Sequence, residues 1–172
     1  MKLIRSLFIF IMVILESCEG QVPKINGVSF VASRESVNKT HIDPVVNVNA
    51  NYAAVMPFGF LKELSHPEIV YNTNRQWFGE TRAGAKQYIQ ALQSRNIEVM
   101  LKPQIWVWKG EFTGYIKMSS EENWVVLEKS YSKFILEYAA LANEMKVSIF
   151  CIGTELEQFI ANRPEYWNNL IK

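Results

Sequence analysis

The residues best able to do chemistry stand just beyond short apolar runs. Ile152-Gly153-Thr154-Glu155-Leu156 puts a carboxylate, Glu155, at the end of the β-prone run Val147–Ile152. Lys102-Pro103-Gln104-Ile105-Trp106-Val107-Trp108 puts an amine, an amide and two indoles at the end of Glu98–Ile105. Asn74-Arg75-Gln76-Trp77 adds a guanidinium and a third indole from a loop. If the runs are parallel strands, their C-terminal ends share one mouth, which collects Trp77, Trp106, Trp108, Lys102, Gln104, Arg75 and Glu155. Such a set suits a sugar. Aromatic faces stack on the C–H face of a pyranose ring, and amide and charged groups hydrogen-bond its hydroxyls.

Each of these residues also has a structural role open to it. Glu155 could be a charge at a helix N-terminus, favoured by the helix dipole. Each Trp could be core. That fits Trp124, which lies in a helical stripe, and Trp167; it fits Trp106 and Trp108 least, because they alternate past a strand that should already have ended. No His/Cys/Asp cluster has metal-ligand spacing, and His41 and His66 fall in loop or helix-edge contexts. The first strand runs into Ala32-Ser33-Arg34-Glu35, with no glycine-rich phosphate loop, and no nucleophile elbow occurs. No cofactor is implied.

The elements that must position these residues follow from periodicity. Asn26–Ala32, Tyr52–Pro57, Glu98–Ile105 and Val147–Ile152 read as strands. Asp43-Pro44 predicts an N-cap and first helical residue, opening a short helix to about Asn49. Thr81–Arg95 carries Ala85, Tyr88, Ile89 and Leu92 on one helical face. Ser119 and Glu122 predict a capping box for a long helix to about Met145, and Pro164 opens a helix still running at Lys172. Strand–helix alternation with apolar strands predicts an α/β fold with a parallel sheet covered on both faces, either an open sheet or part of a barrel.

Composition bounds the rest. The chain has 172 residues, 49% hydrophobic, with a formal net charge of +1, enough apolar material for one core and no basic excess for nucleic acid. Two cysteines are too few for a disulfide scaffold. Residues 1–17 read as an export signal. Lys2 and Arg5 precede nine apolar residues, Leu7–Leu15, too short to span a bilayer. Leu15-Glu16-Ser17-Cys18 resembles the lipobox of bacterial lipoproteins, which implies that Cys18 is acylated, becomes the first mature residue and anchors the protein in the bacterial cell envelope, periplasmic or at the surface; the alternative is an ordinary cleaved signal with an incidental cysteine. The mature chain then has 16 basic and 16 acidic residues, so any membrane attachment rests on acyl chains. Cys151 is left without a partner and reads as a small buried hydrophobe. A short linker, residues 19–25, leads into a domain at 26–172.

The run Lys102-Pro103-Gln104-Ile105-Trp106, followed by Ile152-Gly153-Thr154-Glu155-Leu156, resembles glycoside hydrolase family 113. Asn26-Gly27-Val28-Ser29-Phe30 and Val55-Met56-Pro57-Phe58-Gly59-Phe60 are similar to its first two strands. The resemblance implies a (β/α)8 TIM barrel of the retaining clan, with a general acid/base on the fourth strand, here Glu155, and a nucleophile on the seventh. It implies a polysaccharide or oligosaccharide substrate, a β-mannan or related glycan. Trp77, Trp106 and Trp108 would be platforms, and Lys102, Gln104 and Arg75 would bind hydroxyls. Thr154 stands where many clan members have Asn and can still donate a hydrogen bond toward a sugar 2-hydroxyl. Such a barrel takes about 250 residues, and residues 26–172 supply the first four β/α units. The expectation is therefore the N-terminal half of a hydrolase, inactive alone, or else a non-catalytic glycan-binding lipoprotein on a degenerate barrel.

Overall fold

The computed structural model describes residues 24–172; the signal, Cys18 and most of the linker lie outside the described residues. In chain order the elements are β1 (Gly27–Phe30), α1 (Lys39–Asn47), β2 (Tyr52–Val55), β3 (Phe58–Leu61), α2 (Arg82–Gln93), β4 (Glu98–Leu101), β5 (Gln104–Val107), α3 (Glu121–Glu144), β6 (Ile149–Phe150), α4 (Glu157–Asn162) and α5 (Pro164–Leu170). A four-stranded parallel sheet runs β1-β2-β4-β6, and β3 pairs β5 in a second parallel pair.

The two sheets are one structure interrupted by prolines. Val55 pairs Leu101 and Phe58 pairs Gln104, so β2–β3 and β4–β5 keep the same offset across Pro57 and Pro103. A proline has no N–H, so each removes a rung of the ladder. The N–H groups of Lys102 and Gln104 still donate to the Val55 and Pro57 carbonyls, both at 2.9 Å, and carry the pairing through. The second strand thus extends past Pro57, where it was expected to end, to Leu61, and the third runs past its expected end at Ile105 to Val107.

Alternation decides which side chains face the helices. Ala53, Val55, Leu61, Val99, Leu101, Ile105 and Val107 are buried. They pack against Tyr88, Ile89 and Leu92 of α2 and Phe134, Ile135, Tyr138 and Leu141 of α3. Met56, Phe58, Phe60, Lys102, Gln104 and Trp106 alternate with them on the other face and keep solvent contact. β1 and β6 form the outer edges of the four-stranded sheet among the described residues.

Several helix boundaries differ from expectation. α1 starts at Lys39, because Asn38 rather than Asp43 caps it: Asn38 Oδ1 accepts the Thr40 N–H at 2.9 Å and His41 Nδ1 accepts the Asn38 N–H at 3.1 Å. Pro44 therefore lies inside the helix. The hydroxyl of Ser120, not Ser119, accepts from Asn123 N–H at 3.2 Å and starts α3. β6 is two residues long, α4 was not foreseen, and α5 stops at Leu170. Among the described residues no helix is long and apolar enough to cross a membrane.

Candidate functional site

A cleft of about 910 Å³ opens where the strands end. Its floor comes from the sheet face opposite the helices: Met56, Phe58 and Phe60 from one strand, Gln104, Trp106 and Trp108 from its neighbour. Phe58 is in register with Gln104 and Phe60 with Trp106, so apolar ring and polar or indole group alternate across the pair. The Trp108 N–H donates to the Leu61 carbonyl at 3.0 Å, which fixes the residue just past β5. Phe60 lies 6.3 Å from Trp108, ring centre to ring centre. Trp106 and Trp108 are 51% and 58% exposed, so their rings are available to a ligand.

The loop after β3 builds the opposite wall. It first folds back, with Phe60 and Val70 exchanging backbone hydrogen bonds of 2.8 and 2.9 Å. The Gln76 amide then donates to the Phe58 carbonyl at 2.9 Å and accepts from Thr73 N–H at 2.8 Å, tying the loop to the strand it left. Trp77 follows, 42% exposed. Its backbone N–H donates to Glu80 Oε2 at 3.0 Å, and the Arg34 guanidinium lies 5.2 Å from its ring centre. Burial raises the Glu80 pKa above the ordinary carboxylate value, against the opposing pull of the Trp77 N–H. The β1–α1 loop that carries Arg34 is held by Tyr88, whose hydroxyl accepts Ser33 N–H at 3.1 Å and lies 2.9 Å from Ser33 Oγ.

Of the residues singled out from sequence, Trp77, Trp106, Trp108, Gln104 and Arg75 line this one cleft. Lys102, Thr154 and Glu155 do not line it. Lys102 is half-buried on the same strand face as Gln104, two residues deeper in the sheet. Thr154 is half-buried and Glu155 exposed, in the turn between β6 and α4. Glu155 has left-handed backbone, φ 55°, an uncommon conformation for a residue with a Cβ. The turn is pinned from beneath. Cys151 N–H donates to the Leu101 carbonyl at 2.9 Å, and the buried Tyr131 hydroxyl donates to the Ile152 carbonyl at 2.8 Å. Cys151 is half-buried rather than buried, its thiol 3.2 Å from the Gly153 carbonyl. Under the turn Trp124, Tyr131, Phe159, Tyr166 and Trp167 form one aromatic cluster.

The sequence reading missed part of the lining. Phe58, Phe60, Glu80, Glu68 and His66 all face the cleft. His66 is half-buried and 4.0 Å from Glu68, not a free surface residue. The period-two alternation through Pro57 could have placed Phe58 and Phe60; nothing local marks Glu80 or His66. Among the described residues no group of three His, Cys, Asp or Glu could hold a metal ion.

A parallel sheet with alternating helices and a cleft at the strand ends is a partial (β/α) barrel. The chain belongs to glycoside hydrolase family 113, whose profile matches residues 31–172. Among solved structures it is similar to a family 113 β-mannanase from Alicyclobacillus acidocaldarius solved with ManMIm, at TM-score 0.75 and 19% identity over 88% of this chain and 50% of that one. It is also similar to a family 113 β-1,4-mannanase solved as a complex, at TM-score 0.72 and 18% identity over 86% of this chain and 50% of that one. No curated protein sequence matches it. The chain spans about half the length of the solved structures it matches.

Proposed function

We propose that this chain supplies the acid/base side of a retaining hydrolase of β-mannan or a related β-linked polysaccharide, with Glu155 as the general acid/base. The observation that carries this reading is the aromatic cleft at the strand ends in a chain of this family. The two solved relatives named above are mannanases.

Trp77, Trp106 and Trp108 stack on sugar rings, and Gln104 and Arg75 bind hydroxyls within the cleft. Lys102 and Thr154 bind hydroxyls nearer the bond that breaks. A second carboxylate, contributed by sequence outside these residues, attacks the anomeric carbon and forms a glycosyl ester. As the bond to the leaving oxygen breaks, Glu155 gives that oxygen its proton. Glu155 then takes a proton from water, whose oxygen attacks the anomeric carbon and releases the second carboxylate from the ester. The two carboxyls of a retaining pair stand about 5–5.5 Å apart. The 172 residues alone bind glycan without turning it over. Residues 1–17 export the protein, Cys18 carries its lipid anchor in the cell envelope, and 26–172 are the first four β/α units.

A binding protein without catalysis is the second reading, favoured by Glu155 being exposed and outside the cleft lining. Reducing-end release from β-mannan separates the two. The chain alone gives none on either reading, and release by the chain alone overturns the half-site assignment. A product extended through the remaining strands hydrolyses mannan on the first reading and only binds it on the second. Loss of palmitate labelling on Cys18→Ser tests the anchor.

A further inference from the structure

The loop from β5 to α3 partitions its side chains against their polarity. Thr113 is only 7% exposed, whereas its neighbours Phe112 and Tyr115 are 42% and 62% exposed. Ordinarily a surface turn buries its rings and shows its threonine to water. The two rings meet edge to face, 5.2 Å between centres. The turn, a single 3-10 coil at Thr113–Tyr115, is anchored by buried Thr113, Gly114 and Ile116. Gly114 has a definite job: a Cβ there would fall 2.3 Å from the Phe112 ring, so the absent side chain is what lets that ring lie against the backbone. The rings are held in place rather than hanging in solvent.

Their position adds direction. The loop leaves the C-terminal end of a barrel strand, and so lies at the mouth. The 3-10 turn packs on α4, the helix that begins two residues after Glu155. On the strand side, Trp108 of the cleft precedes Phe112 by four residues, at most about 14 Å of extended backbone. The pair is not part of the cleft lining, but lies within a short reach of Trp108 on the loop that leaves the same strand.

We propose that Phe112 and Tyr115 form a second sugar-stacking platform, a distal subsite that holds the pyranose rings of a β-linked glycan extending past Trp108. The proposal rests on the glycan reading above. Its signature is chain-length dependence. Replacing both rings by alanine lowers the affinity for β-1,4-mannohexaose by about two- to twelvefold, the value of an aromatic contact, and leaves the affinity for mannobiose unchanged. Gly114→Ala, which displaces the Phe112 ring, gives a smaller loss with the same dependence. Titration calorimetry of the 172-residue chain, with thermal melts to verify the fold, reads both ligands.

Equal loss for both sugars, or none for the hexaose while Trp106→Ala still weakens it, overturns the distal platform and leaves the cleft reading standing. Absence of binding by the unmodified chain to either sugar overturns both.

Discussion

Tyr88→Phe removes a single oxygen from the core and tests how the cleft wall is built. The hydroxyl links α2 to the part of the loop that carries Arg34, while Gln87 Oε1 of the same helix accepts the Val37 N–H further along at 2.8 Å. It accepts Ser33 N–H at 3.1 Å, lies 2.9 Å from Ser33 Oγ and donates toward the Glu35 carbonyl at 3.3 Å. Beside it, Gly79 N–H donates to the Ser33 carbonyl at 2.9 Å, so the same loop also holds the turn that begins at Trp77. A lost intramolecular hydrogen bond costs about 0.5–1.5 kcal/mol, and a part-buried donor left without a partner about 1–3 kcal/mol. The Phe ring keeps its edge-to-face contact with Phe30, at 5.2 Å, so packing is conserved and the cost is polar. The expected loss is about 1–3 kcal/mol in urea unfolding. Because the loop loosens, Arg34 also leaves the Trp77 face, a contact worth about 0.5–1 kcal/mol at an exposed site. Acrylamide quenching of Trp77, isolated by subtracting a Trp77→Phe variant, therefore increases, and Arg34→Met reproduces that increase without the stability loss. A stability change under about 0.5 kcal/mol, or unchanged Trp77 quenching in Tyr88→Phe, refutes the coupling.

Three further outcomes follow from named contacts. Gly84→Ala would put a Cβ 1.9 Å from the Phe78 carbonyl oxygen and 2.8 Å from Gly79 Cα, backbone that no rotamer change relieves; a loss of about 3 kcal/mol or more is expected in chemical denaturation, and a wild-type midpoint would contradict it. Glu80 has its pKa raised by burial, so the fold prefers its neutral form, and the stability tied to it is present below the ordinary value of 4.5 and lost as pH rises through the folded value. Glu80→Gln, which can still accept from Trp77 N–H, should therefore melt higher than the parent at neutral pH and match it below pH 4.5; an advantage that persists in acid would reverse the sign. In a protein with the barrel completed, Glu155→Gln should cut mannan hydrolysis by about 10²–10⁴-fold while mannohexaose affinity holds, and full activity in initial-rate assays would remove Glu155 from the acid/base role.

Local pattern carried the alternation of strands and helices, because a sheet face packed on helices needs apolar residues and α2 and α3 need apolar stripes; the expected cover on both faces is not seen among the described residues, since the other face of the strands keeps solvent contact and floors the cleft. Where local signals competed, it misled. Pro57 reads as a strand end, yet the strand passes through it, since the Pro57 carbonyl still accepts from Gln104 and the register offset is kept. Asp43-Pro44 has the form of a helix start, yet Asn38 with His41 completes a reciprocal cap five residues earlier, and the helix tolerates Pro44 inside it. Leu156 offers no capping side chain, so the start of the six-residue helix α4 is marked only by the acidic Glu157 in its first turn. Arg34 on Trp77 and Tyr88 on Ser33 join residues far apart in the chain, which no window of sequence can pair.

The five tryptophans show what kind of signal does reach from sequence to site. Trp124 sits at helical spacing with Leu127, Tyr131 and Phe134 and is buried with them. Trp167, three residues after the proline that opens α5, is buried against Tyr131 and Phe159. Trp106 and Trp108 sit at spacing two, in phase with Lys102 and Gln104 and out of phase with buried Leu101, Ile105 and Val107, and both are exposed. One residue type with one hydrophobicity thus divides by period and phase. An apolar ring that falls in phase with polar neighbours has been placed where burial by its own chain cannot repay it, and that is the physical reason to look there for a ligand. The same reasoning separates Phe58 and Phe60, in phase with Gln104 and Trp106 across the ladder, from the core. It fails for Trp77, whose exposure is set by a loop tied down through Gln76, Glu80 and Gly79 rather than by any period.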